Sequence, residues 1–245
     1  MIYGPAVNLP GSLKARLDDG VFRLKLAAIA RRLRSLGAAP GEEISTWTTK
    51  HELVALHDLA RASQGKVAVE IGAYLGAASR YIVAGLAAGG GRLLCVDTWR
   101  NETMPEGERD TMEEFARNVR GLERWITPLR KRGGELERAD LPGPLDFVFI
   151  DADHSYESVR DDFAAVAPLL APGAVVAFHD ATNHPGVSRL VGELLAGRRW
   201  AIGGCVQTLV WLVPAPWLAE PSPGRPTGRS SSGTAPGSER RPASG

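Results

Sequence analysis

Short apolar runs punctuated by glycine, proline and charged residues alternate along the chain with longer stretches of helical period. Residues 67–71, 92–97, 126–131, 147–150 and 174–178 are rich in valine, isoleucine, leucine and phenylalanine. They are too brief for helices and are bounded by turn residues, so each reads as a buried strand. Helical spacing marks about 50–63, the small-residue stretch after Gly76, 111–122, 155–170 and 185–195. Strands that alternate with helices predict an α/β doubly wound domain with a largely parallel sheet. Pro128 weakens the third strand, and Pro172 with Gly173 is expected to end the helix that starts at Ser155. Residues 199–206 and 208–213 read as an antiparallel pair, with a bulge where Gly203 and Gly204 interrupt the first member.

The flanks differ from this centre. Residues 12–36 place Leu13, Leu17, Leu24, Ile29, Leu33 and Leu36 at near-helical spacing, and Gly20 is expected to split the stretch into two helices. Seven basic side chains stand there against Asp18 and Asp19, a local charge of +5. That charge fits a membrane surface or an anionic partner, or simply a solvated face on an extension that caps the active site or joins two copies; we adopt the second reading. From Pro214 onward too few apolar residues remain to pack, so disorder is expected. The expected division is an extension at 1–43, a main domain at 44–214 and a tail at 215–245.

Over the whole chain 29 basic residues offset 28 acidic ones, a net charge of +1 that removes any global electrostatic case for nucleic acid. Cys95 and Cys205 offer neither metal spacing nor a disulfide framework, so the expected compartment is the cytoplasm. No run of 18 apolar residues and no leader pattern is found.

Two places along the chain carry chemistry. The first is VAVEIGAYLGAAS, 67–79, where Gly72 and Gly76 bracket a turn between strand and helix and Glu70 is discordant in an otherwise apolar run. Open α/β sheets bind ligands outside the carboxyl ends of their strands, and Glu70 is expected at that crevice. The loop lacks the third glycine of a dinucleotide fingerprint, so a ligand without a pyrophosphate fits better. Asp97 ends the second strand, 27 residues after Glu70, where a carboxylate can accept both hydroxyls of a ribose. EIGAYLG followed by CVD resembles motif I and the ribose-binding acid of class I S-adenosylmethionine-dependent methyltransferases, and the loop is similar to that of catechol-type O-methyltransferases. The resemblance implies a Rossmann-like seven-stranded sheet with an antiparallel C-terminal strand. It also implies cofactor contacts from Glu70, Gly72, Ala73, Tyr74, Gly76, Ser79, Asp97, Thr98 and Asp151.

The second place is LDFVFIDADHSY, 145–156, whose strand ends in Asp151, Asp153 and His154, together with His179 and Asp180 at the end of the fifth strand. Nothing in a core needs such a cluster, and adjacent parallel strands can bring oxygen and nitrogen ligands around one divalent ion. FIDADHSYESVRDDF and PGAVVAFHD are similar to a bacterial family that includes macrolide sugar O-methyltransferases. That resemblance implies transfer to a hydroxyl of a sugar or other natural product. Asp151 and Asp180 become metal ligands for an ion such as Mg²⁺, and His154 the general base. His179 stands where an acid is usual, so either it is not a ligand or the metal differs, since imidazole suits zinc, iron, nickel or copper. A metal-independent methyltransferase, a nicotinamide-dependent oxidoreductase and a catalytically silent binding protein remain alternatives. Trp99 is expected over the adenine or acceptor pocket, or packed under its own loop; the resemblance places the loop with Trp47, Thr48 and Thr49 over the cofactor, and the other reading is a simple helix cap by Thr48 or Thr49. Gly133 and Gly134 stand where the family carries a polar side chain near adenine, and His184 reads as a loop residue.

Overall fold

The computed structural model describes residues 11–38, 44–63, 67–102 and 105–215, with side chains from residue 18 onward. The tail, the first ten residues and the side chains of Leu13 and Leu17 lie outside the described residues. Seven strands, β1 (Val67–Ile71), β2 (Arg92–Asp97), β3 (Ile126–Arg130), β4 (Leu145–Ile150), β5 (Leu170–Phe178), β6 (Trp200–Val206) and β7 (Leu209–Pro214), form one sheet in the order β3-β2-β1-β4-β5-β7-β6. The strands from β3 to β5 in that order pair in parallel, and β7 runs antiparallel to both β5 and β6. Pro128 is accommodated because β3 is an edge strand. The bulge expected at the paired glycines is present, with a register shift between Ile202 and Gly204 where the Trp211 ring lies across them.

Helices cover both faces. On one side α1 (Gly11–Ser35), α2 (Lys50–Ala62), α3 (Ala77–Leu86) and α4 (Met112–Asn118) pack over Ala68, Leu93, Phe147 and Phe149. On the other, α5 (Tyr156–Val166) and α6 (Pro185–Ala196) cover Val69, Val96, Val148, Val176 and Leu212. Because side chains alternate along a strand, one residue of register decides which layer each β1 side chain joins.

Three expectations give way here. Gly20 does not break α1, which is continuous; one glycine in a helix interior costs about 1 kcal/mol, less than the docked face supplies. That face is Phe22, Leu26, Ile29 and Leu33, whereas Leu24 is 71% exposed. The helix over 111–122 ends earlier, at Asn118, and continues as a turn. Pro172 and Gly173 lie inside the irregular start of β5, since α5 stops at Val166.

Candidate active site

The carboxyl ends of β1, β2, β4 and β5 open onto a crevice with two lobes, about 420 Å³ and about 280 Å³, which share Gly72, Tyr74, Asp151 and Ala152. The β1–α3 loop divides them and is built for close approach. Gly72 has φ +90, and a Cβ there would stand 2.0 Å from the Asp151 carbonyl oxygen, so only glycine lets β1 pass β4 at this point. Gly76 has φ +86 and faces Val119 and Phe115; it shapes the start of α3 and does not line the crevice.

The larger lobe belongs to β2. Asp97 accepts hydrogen bonds from the backbone N–H of Tyr74 (2.8 Å, Oδ2) and of Trp99 (2.6 Å, Oδ1). The Ala73 and Thr98 amides also favour the charged carboxylate, which lines the lobe. Burial raises the Asp97 pKa, and the backbone donors oppose that rise. Thr98, Gly133 and Gly134 line the same lobe.

Two expected cofactor residues are elsewhere. Glu70 is fully buried and lines neither lobe. It is the penultimate residue of β1, so its side chain points into the α3 layer and not over the strand end. There Oε2 accepts from Ser79 Oγ at 2.5 Å and from Cys95 Sγ at 3.3 Å, and Oε1 has no partner. Burial pushes its pKa up to about 8 against the pull of those two donors. Ser79 is accordingly a partner of Glu70, not a crevice residue. Trp99, also fully buried, donates Nε1–H to the Tyr74 carbonyl (3.1 Å) and packs on Phe115, so it lies under its own loop.

The smaller lobe gathers the second motif. Asp151, His154, His179, Asp180 and His184 line it, with Ala73 and the exposed Trp47. His154 Nε2 lies 3.6 Å from Asp151 Oδ1 and 3.3 Å from Asp180 Oδ2. Burial alone would raise the Asp151 pKa, but the His154 and His179 imidazoles hold it at about 2. His154 is raised in turn, chiefly by the Asp151 carboxylate. Asp153 takes no part; it accepts from Ser155 N–H and shapes the turn into α5. Asp151, His179 and Asp180 bring ligand atoms within 4.8 Å of one another, a set of one nitrogen and two oxygens.

A family model described as a methyltransferase domain matches residues 69–181, which run from within β1 to just past β5 and hold both lobes' strand ends. Over those residues the chain is similar to a methyltransferase domain. An uncharacterised protein, R132, of Acanthamoeba polyphaga mimivirus is 29% identical over 76 residues, 26% of this chain and 34% of that protein. The match thus spans about a third of that relative. The O-methyltransferase NovP superposes with a TM-score of 0.60 at 16% identity, over 78% of this chain and 98% of the other. The SAH-bound Podospora anserina methyltransferase PaMTH1 gives 0.52 at 12% identity, over 87% and 99%. At these identities the likeness is one of fold.

Sequence reasoning passed over two residues of the site, Glu52 and Asp162, and gave less weight to a third, His184. His184, read as a loop residue that could line the acceptor pocket, packs on His154 with ring centroids 4.2 Å apart and the rings tilted by 42°, and brings Nε2 to 3.7 Å from Asp180 Oδ2. Glu52, from α2, is 1% exposed and reaches His179 Nε2 at 3.3 Å. Its sequence signal was the capping box with Thr49, which is present but explains only half of what the side chain does. Asp162 of α5 lies behind Gly133, with one oxygen unpartnered, and burial raises it to about 7.

Proposed function

We propose that the domain transfers the methyl group of S-adenosylmethionine to a hydroxyl of a small molecule, a sugar or other natural product. The observation that carries the proposal is the junction of the two lobes at Gly72 and Asp151. A cofactor whose ribose meets Asp97 directs its reactive end past that junction, toward His154. The Tyr74 and Trp99 amides already fix Asp97 in place, so binding costs little reorganisation.

A hydroxyl in the smaller lobe is a poor nucleophile until its proton has an acceptor. His154, raised by Asp151 and with its buried Nε2 lacking an aligned hydrogen bond, is that acceptor. Asp151 and Asp180 orient the ring and stabilise the imidazolium it becomes. The donors also fit a divalent ion, because His179 Nδ1 is buried without a hydrogen-bond partner while facing two carboxylate oxygens. Asp151, His179 and Asp180 would hold it, and a bound divalent ion lowers the pKa of a coordinated hydroxyl. Trp47, exposed at the mouth of this lobe, offers a flat apolar face to an acceptor ring.

The test is kinetic. With an acceptor found by screening hydroxylated compounds, His154→Ala should lower turnover by about 10² to 10⁴ while leaving S-adenosylhomocysteine affinity unchanged. Full activity in that variant would remove His154 from the role of base. Calorimetry showing NAD binding and no S-adenosylhomocysteine binding would sink the whole reading.

A further inference from the structure

His179 is where this chain departs from an all-oxygen set of donors, and its surroundings give the departure a direction. The ring is 3% exposed and is approached by carboxylates on both sides. Nε2 faces Glu52 Oε2 at 3.3 Å, whereas Nδ1 faces Asp151 Oδ1 at 3.2 Å and Asp180 Oδ2 at 3.4 Å. Neither Nδ1 approach has hydrogen-bond alignment, whereas Nε2 has a hydrogen-bond contact with Thr208 Oγ1 at 3.5 Å beside the Glu52 carboxylate.

Glu52 is itself pinned. Its Oε1 accepts from the Thr208 amide (2.9 Å) and hydroxyl (2.7 Å), and its Oε2 accepts from the Thr49 amide (2.9 Å). A carboxylate fixed in this way faces one ring nitrogen and leaves the other to the crevice. An anchored carboxylate on one nitrogen with a bare second nitrogen is how proteins set the tautomer and aim of a metal-binding imidazole.

We infer that Glu52 is a positioning residue that presents His179 Nδ1 as a ligand, and that the site therefore selects a d-block divalent ion over magnesium. The inference rests on the metal half of the proposed function. Magnesium prefers oxygen donors in a near-ideal octahedron with retained waters, whereas an imidazole nitrogen favours zinc, iron, cobalt or nickel. The spacing agrees, because tetrahedral ligands bound at about 2.1 Å stand about 3.4 Å apart.

The experiment uses the full chain, stripped of metal and titrated with Co²⁺ while visible absorption is recorded, with Mg²⁺ as competitor. Ligand-field bands are expected, and they should survive about a hundredfold excess of Mg²⁺. Glu52→Gln should weaken Co²⁺ binding about 10- to 100-fold with S-adenosylhomocysteine affinity unchanged. His179→Asp should lose the preference over Mg²⁺. Should Glu52→Gln fail to fold, Thr208→Val, which removes the hydroxyl that holds both Glu52 Oε1 and His179 Nε2, should weaken Co²⁺ binding in the same direction. Absent bands, displacement by equimolar Mg²⁺, or unchanged Co²⁺ affinity in the folded variants overturns the inference. Failure of the wild-type chain to bind S-adenosylhomocysteine would instead overturn the proposed function, so the two failures read separately.

Discussion

Glu70 keeps a proton that an unfolded chain would release. Its folded pKa, raised by burial to about 8, lies above the ordinary 4.5. Its contribution is therefore fully present below pH 4.5 and is lost as pH rises toward 8, by an amount on the order of a few kcal/mol. Asp162, raised to about 7, adds a slope of the same sign. Glu70→Gln should flatten part of that loss, melting higher relative to the wild type at pH 8 than at pH 5; an unchanged difference across that range would refute the assignment. Glu70 was conspicuous in the sequence as an acid in an apolar run, but its direction was not. Whether a penultimate strand residue faces a ligand or a helix layer depends on which faces the sheet covers. Glu52 was hidden for the opposite reason, since a glutamate three residues after a threonine is already accounted for as a cap.

Among the elements, the first three strands were read with little error because buried parallel strands are continuous apolar runs, whereas β5 begins at Leu170, four residues before its expected start. β1 and β2 carry the expected limits and β3 differs by one residue. Helix α1 was misread at Gly20, where local propensity lost to packing by Ile29 and Leu33 nine and thirteen positions further on. The position is also open, with nothing within 4 Å of a Cβ added there. Gly20→Ala should accordingly stabilise the chain by up to about 1 kcal/mol, visible as a higher denaturation midpoint at constant m-value. A lower midpoint would mean that the glycine has a role its surroundings do not reveal. In the loops after β1, β2 and β5 the non-glycine residues Tyr74, Trp99, Asn101 and Asp180 adopt φ of 46, 49, 60 and 54. Left-handed backbone at such residues is not written in any propensity, and it helps to explain why the two readings of Trp99 could not be separated from the sequence.

For the molecule as a whole, the two-lobed crevice sits between segments far apart in sequence, so ligand binding and global stability are linked. S-adenosylhomocysteine at about 100 times its dissociation constant should add about 2.7 kcal/mol, a rise of roughly 5–10 °C in Tm for a chain this long. NAD at the same concentration should leave Tm unchanged; a NAD shift without an S-adenosylhomocysteine shift would contradict the cofactor. The sheet also imposes a timetable on synthesis. Because β7 lies between β5 and β6, the sixth strand leaves the ribosome with no place to pair, and the β5 edge stays open until residues 209–214 follow. The hairpin that these strands form carries Thr208, whose carbonyl accepts from Ala181 N–H and whose amide and hydroxyl anchor Glu52. The acceptor side of the crevice is thus locked by nearly the last described segment to be made, and a nascent chain halted before it has the cofactor strands without the catch that sets His179.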